Sequence, residues 1–375
     1  MRFIKVLFIL FFAVALQSCL SADEDPVYIP PIKGAVLQPN ISGEKEGFKP
    51  GSEPNQVWVK LSDSAMTANK RTDWDLGFYS GDEFRVVING SIIMAAGKIP
   101  NATNIDAVSP SQVASLQNEI MVGSFVASNL QYVDNPNGLF LNQTTGIAPI
   151  SSNDSDSPIY LVNMGRDIYN ETIAPGSAIT GGDSRGWMLI QIIRSNNGYK
   201  LKYKDLNSTD SHLEYTIVKN PDYALNFFSL KQGKEVTIQP KRKNWDIGFT
   251  VFTNEVFYTP GGLSAGSYVY ADFVINNITD GVGSYEVVVP TGNNADQYYD
   301  SFKTSDIDAS KFIFNDQRAI GDHWRTVTGN NGAQVYGDRF YVIKSSDGFF
   351  FKLRFNKMLN SKGERGYPEF EYEPL

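Results

Sequence analysis

The sequence predicts an all-β protein built from two diverged copies of one β-unit, with long loops and a few short helices. Three observations carry that expectation. The stretch Asp73-Trp74-Asp75-Leu76-Gly77-Phe78 returns as Asn244-Trp245-Asp246-Ile247-Gly248-Phe249, each time after a basic turn and a short strand, Gln56 to Leu61 and Asn226 to Leu230. A turn and an alternating strand also recur: Ser195 to Gly198 leads into Tyr199 to Tyr203, and Ser345 to Gly348 leads into Phe351 to Phe355. Finally, 24 Phe and 19 Tyr accompany 32 Gly, a mixture that favours sheets joined by tight turns.

The 375 residues match two domains of roughly 100–200 residues each. The turn signal Asn220-Pro221-Asp222 divides a first domain, 55–219, from a second, 220–375. A net charge of −8 and a pI near 5.0 argue against a nucleic-acid partner, whose phosphates select a basic surface.

The N-terminus carries its own signal. Arg2 and Lys5 precede an apolar run, Val6 to Leu16, too short for an ordinary membrane span and laid out as an export signal. Leu16-Gln17-Ser18-Cys19 resembles a bacterial lipobox, which implies a signal peptide over 1–18 and lipid acylation of Cys19, the chain's one cysteine. The expected partner there is membrane lipid, and the expected location is the outer membrane, facing outward. Residues 19–54, rich in Pro, Gly and charge, read as a flexible tether. Within it, Ser21 to Asp25 is either a solvated spacer or an acidic surface-export signal like those of Bacteroidetes lipoproteins.

In the first half, alternation places Trp74, Leu76 and Phe78 on one strand face, as core anchors. Phe84 to Ile93 reads as a strand pair divided by a hairpin turn at Asn89-Gly90. Residues 100–155 read as loops with brief helices near 109–116 and 125–130. Strands follow at Pro158 to Val162, Trp187 to Arg194, Tyr199 to Tyr203 and His212 to Val218. The second half starts with a hairpin, Phe227 to Leu230 with Glu235 to Ile238. Later strands fall at Ser267 to Ile275, Tyr285 to Val289, Arg339 to Lys344, Phe349 to Asn356 and Phe370 to Tyr372.

The order of these elements resembles the HmuY-like family of haem-binding lipoproteins from Bacteroidetes. The resemblance rests on Asn226 to Val236, Asn244 to Phe249, Arg339 to Lys344 and Gly366 to Tyr372. A weaker copy lies over 55–218. It implies two tandem HmuY-like β-domains and a surface lipoprotein that captures haem or a related porphyrin for iron acquisition and passes it to an outer-membrane haem receptor. The family's founding type grips haem between two histidines, whereas this chain has only two in total, one per half. His323 is the candidate iron ligand, with Trp324 to stack on the macrocycle and Arg318 and Arg325 to pair with propionates. His212 is the second candidate ligand.

No catalytic signature is recognised: neither a His-Glu-x-x-His helix nor a phosphate-cradling glycine loop is present, and the chain reads as non-enzymatic. The alternative to haem is a surface module for a glycan, peptide or protein, with exposed aromatics such as Tyr258, Tyr268 and Tyr299 as the contact face.

Overall fold

A computed structural model describes residues 32–328 and 332–375. The expected export signal and Cys19 lie outside the described residues. Residues Lys33–Leu375 form one compact unit in which strands dominate and the helices are short; among the described residues the two α-helices are Pro110–Gln117 and Ala295–Ser301.

Each copy of the repeat contributes most of one five-stranded antiparallel sheet. The first runs Leu213–Val218, Gly198–Asp205, Trp187–Ser195, Ile159–Asn163, Ala95–Lys98 in spatial order. The second runs Ala35–Leu37, Arg365–Pro374, Phe350–Leu359, Arg339–Lys344, Gly283–Val288. The alternating hairpins after Ser195 and Ser345 are the central ladders of these sheets, as their periodicity predicts.

The leading hairpins are placed differently. The first copy's hairpin, Asn55–Lys60 with Ala65–Lys70, pairs with Ile247–Phe257 of the second copy, in the register Ile247 to Val59 and Phe249 to Val57. Conversely, the second copy's hairpin, Leu225–Ser229 with Lys234–Val236, pairs with Leu76–Tyr79 of the first, Phe227 opposite Gly77. Each copy thus gives its first two strands to the sheet that holds the other copy's Trp-Asp strand. The exchange reaches the core: Phe228 and Leu230 are buried against Leu76, Phe78, Ile190 and Tyr203 of the first copy. Fully burying a side chain of this size contributes roughly 1.5–3 kcal/mol.

Two local expectations meet a different structure. Asn89-Gly90 does not close a hairpin. The Asn89 side chain is fully buried and donates to the carbonyls of Arg71 and Trp74, while its oxygen accepts the Ser91 amide. Those bonds wind Gly90–Ile92 into a 3-10 turn and send the chain into a different sheet, so Val86–Ile88 and Ala95–Lys98 never pair. In the basic turn before Trp74, Arg71 is buried. Its guanidinium is enclosed and donates to the carbonyls of Glu53, Ser52, Ser91 and Thr180. Residues 33–54, expected as part of the tether, carry ordered structure. Ala35–Leu37 is the edge strand of the second sheet, and Ile41, Ser52 and Glu53 are buried.

Candidate functional site

The exchange brings the two Trp-Asp strands and both leading hairpins around one cleft of about 170 Å³. Its aromatic wall has pseudo-twofold character. Trp58 stands edge to face against Trp245 with ring centroids 4.8 Å apart at 70°, and Trp74 meets Phe227 at 4.8 Å and 73°. Trp58 and Phe227 occupy corresponding positions in the two leading hairpins, so each copy's repeat tryptophan meets an aromatic of the other. Such pairs add about 0.5–1.5 kcal/mol beyond their buried area.

A polar seam holds the wall. The Trp74 indole donates to Gln56 Oε1 at 2.9 Å, and Gln56 Nε2 donates to Thr250 Oγ1 at 3.0 Å. The Trp58 indole donates to Asn69 Oδ1 at 2.8 Å. Asp134 is the one ionisable group among the described lining residues. Burial pushes its carboxyl up to about 7 even though it accepts the amides of Ile88 and Gly146, each at 2.8 Å. Two further lining residues, Asn276 and Asn277, are almost wholly buried and use their amide nitrogens, on Ser284 Oγ and on the Trp245 carbonyl respectively. The Oδ1 atoms of both lack a hydrogen-bond partner. No Lys, Arg or His lines the cleft among the described residues.

The residues singled out in sequence lie elsewhere. His323 is exposed in the turn before Arg325–Thr326. Trp324 has no exposed surface and stacks on Phe355 at 4.3 Å and 19°, so it offers no face to a ligand. The Arg325 guanidinium points inward onto the Ala271 carbonyl, 4.0 Å from Asp322. Arg318 is held in a fork on Asp316, at 2.9 and 2.7 Å, and on Asn254 at 2.8 Å. His212 lies 2.8 Å from Asp106 through Nδ1 and 3.6 Å from Glu214 through Nε2. Its two ring nitrogens both face carboxylates. Of the aromatics named for a contact face, Tyr258 and Tyr268 are exposed and Tyr299 is buried beneath Phe340.

These residues do not fit haem. Among the described residues the cleft offers no imidazole, and a cavity of roughly 150 Å³ accommodates one benzene ring, well short of a tetrapyrrole. The two arginines meant for propionates are already neutralised by carboxylates or buried on carbonyls. The sequence does contain the spacing Gly-x-Ser-x-Gly, at Gly182–Gly186 and Gly262–Gly266. Neither copy is a strand-turn-helix elbow, since each leads into a strand, and the hydroxyls of Ser184 and Ser264 accept the local amides of Gly186 and Gly266. The cleft is partly legible in the sequence: the repeat motif singles out Trp74 and Trp245, but nothing in their local pattern shows that Trp58 and Phe227 reach across from the opposite copy.

A family model described as HmuY protein matches residues 52–216 and again 223–372. Comparison with curated proteins finds no match. A crystal structure of a candidate lipoprotein from Bacteroides fragilis NCTC 9343 is similar at 12% identity over 51% of this chain and 91% of that one, with a TM-score of 0.21, too low to carry an argument. Among the described residues, no helix is long and apolar enough to cross a membrane.

Proposed function

This chain belongs to the HmuY family, and from that premise we propose that it is a non-catalytic capture protein of the outer-membrane surface. Lipid on Cys19 tethers it, and the cleft between the exchanged hairpins receives a small uncharged ligand. The observation that carries this reading is the construction of the cleft. Both copies of the repeat supply its aromatic wall, and a seam of satisfied hydrogen bonds holds that wall in place. Preformed, mostly apolar concavities with a few convergent polar groups are the usual form of ligand sites. Proteinase treatment of intact cells tests the location: the native protein is digested on the cell surface, and Cys19→Ala is released from the membrane fraction.

Family membership favours a second reading, capture of haem or a related porphyrin and its delivery to an outer-membrane receptor. Hemin titration followed at the Soret band separates the two. The cleft reading expects no saturable spectrum that depends on His212 or His323. A one-to-one spectrum lost in His323→Ala would establish the haem reading instead.

A further inference from the structure

We infer that the cleft is a saccharide site, taking a single neutral pyranose ring from a glycan; this rests on the capture reading above and names its ligand class. Four observations converge on that chemistry. The volume of about 170 Å³ is that of one ring, not of a fused or multi-ring ligand. The wall is aromatic from both sides, through the Trp58–Trp245 and Trp74–Phe227 pairs, and ring faces of this kind pack against the C–H face of a sugar. No cation lines the cleft among the described residues, and Asp134, held neutral over much of the range below about 7, is already bonded to two amides. A carboxylated, phosphorylated or propionate-bearing ligand would therefore enter without a counter-charge, at a desolvation cost of several kcal/mol.

The fourth observation selects hydroxyls over a plain apolar ring. Asn276 and Asn277 are consecutive, nearly fully buried and lining, and each keeps an Oδ1 acceptor without a partner while its amide nitrogen is committed to the protein. A buried acceptor left unpaired costs about 1–3 kcal/mol, and two adjacent ones call for a ligand that donates twice. Vicinal hydroxyls of a pyranose do so; an aromatic hydrocarbon does not. Asn276 ends the strand Ser264–Asn276, and the Asn277 amide nitrogen beside it donates to the Trp245 carbonyl at 3.0 Å, so both residues line the cleft next to its aromatic wall.

The test uses the detergent-solubilised mature protein and a panel of methyl glycosides of the common hexoses and N-acetylhexosamines. Binding is followed by tryptophan fluorescence, since three of the five tryptophans line the cleft. Saturation-transfer NMR on the ring protons runs in parallel. Asn276→Leu removes one free acceptor, and Gln239→Ala trims a half-exposed lining side chain and keeps the test open if the first variant does not fold. Saturable binding of at least one glycoside, weakened about tenfold or more in a folded variant, is the expected result. Binding unchanged in both variants overturns the inference. Binding of indole or p-cresol but of no glycoside also overturns it while leaving ligand capture intact, and no response to any ring overturns both.

Discussion

The Asp75 carboxylate accepts the backbone amide of Leu230 at 2.7 Å, although the two residues are 155 positions apart and belong to different copies of the repeat. The relationship is repeated in reverse: Asp246 accepts the amide of Leu61 at 2.9 Å. The aspartate of each Trp-Asp motif therefore caps the end of the other copy's leading strand. That role requires the carboxylate to be buried, and each has a cation beside it, Arg185 at 2.8 Å from Asp75 and Lys60 at 3.7 Å from Asp246.

Replacing Asp75 with alanine leaves the Arg185 guanidinium buried without its main partner and orphans the Leu230 amide. The expected loss is about 3–5 kcal/mol in denaturant unfolding, the range for breaking a buried ion pair. Asp246→Ala is expected to cost less, because Lys60 keeps the Asp347 carboxylate at 2.5 Å and the Lys243 carbonyl at 2.7 Å. Equal losses would show that the cations do not distinguish the two sites.

Fragments 33–219 and 220–375, expressed apart, are expected to lack a cooperative unfolding transition and to regain one when mixed. Each fragment loses the exchanged hairpin that pairs with its Trp-Asp strand, and fragment 220–375 also exposes Phe228 and Leu230, which are buried against the first copy. Circular dichroism melts of each fragment and of the mixture measure this. A fragment that folds cooperatively alone would mean that its hairpin closes on its own copy, the unexchanged arrangement.

Glu53 is fully enclosed beside Asp272 and Arg365, and burial, then the Asp272 charge, pushes its carboxyl up to about 8. The folded state thus keeps a proton that the unfolded chain has released across the interval from the ordinary carboxylate range to about 8. Stability is greatest below that interval and falls as pH rises through it, by at most about 1.4 kcal/mol per pH unit. Glu53→Gln keeps an acceptor for the Asp272 amide, bonded at 2.8 Å, and removes the titration. Its melting temperature is expected to exceed that of the native protein at pH 9 and to match it at pH 5. A native profile flat between pH 5 and 8 would rule this out.

Gly165 sits at φ +71°, and a Cβ there would collide with the Ile92 carbonyl, which accepts the Arg166 amide at 2.8 Å. Gly165→Ala is expected to destabilise by more than 1 kcal/mol, from left-handed strain plus the displaced backbone. Thermal unfolding of this variant beside Gly176→Ala, also at positive φ but in open space, separates the steric from the conformational part.

What the sequence determined by itself was the inventory. Period-two alternation located the hairpins at 187–203 and 339–355, because a strand with one buried face must repeat every two residues. The recurrence of Trp-Asp-aliphatic-Gly-Phe established the duplication, and the ordered motifs carried the family. What only the tertiary structure decided was which copy each leading hairpin joins. A β-strand presents the same unpaired amides and carbonyls to either neighbour, so local pattern constrains pairing partners weakly when two near-identical partners exist in one chain. The same indifference hid the cleft, whose aromatic pairs form only between copies. It also hid the burial of Trp324 and Arg325, a polar-looking turn by composition that the Phe355 face and the Ala271 carbonyl draw inward.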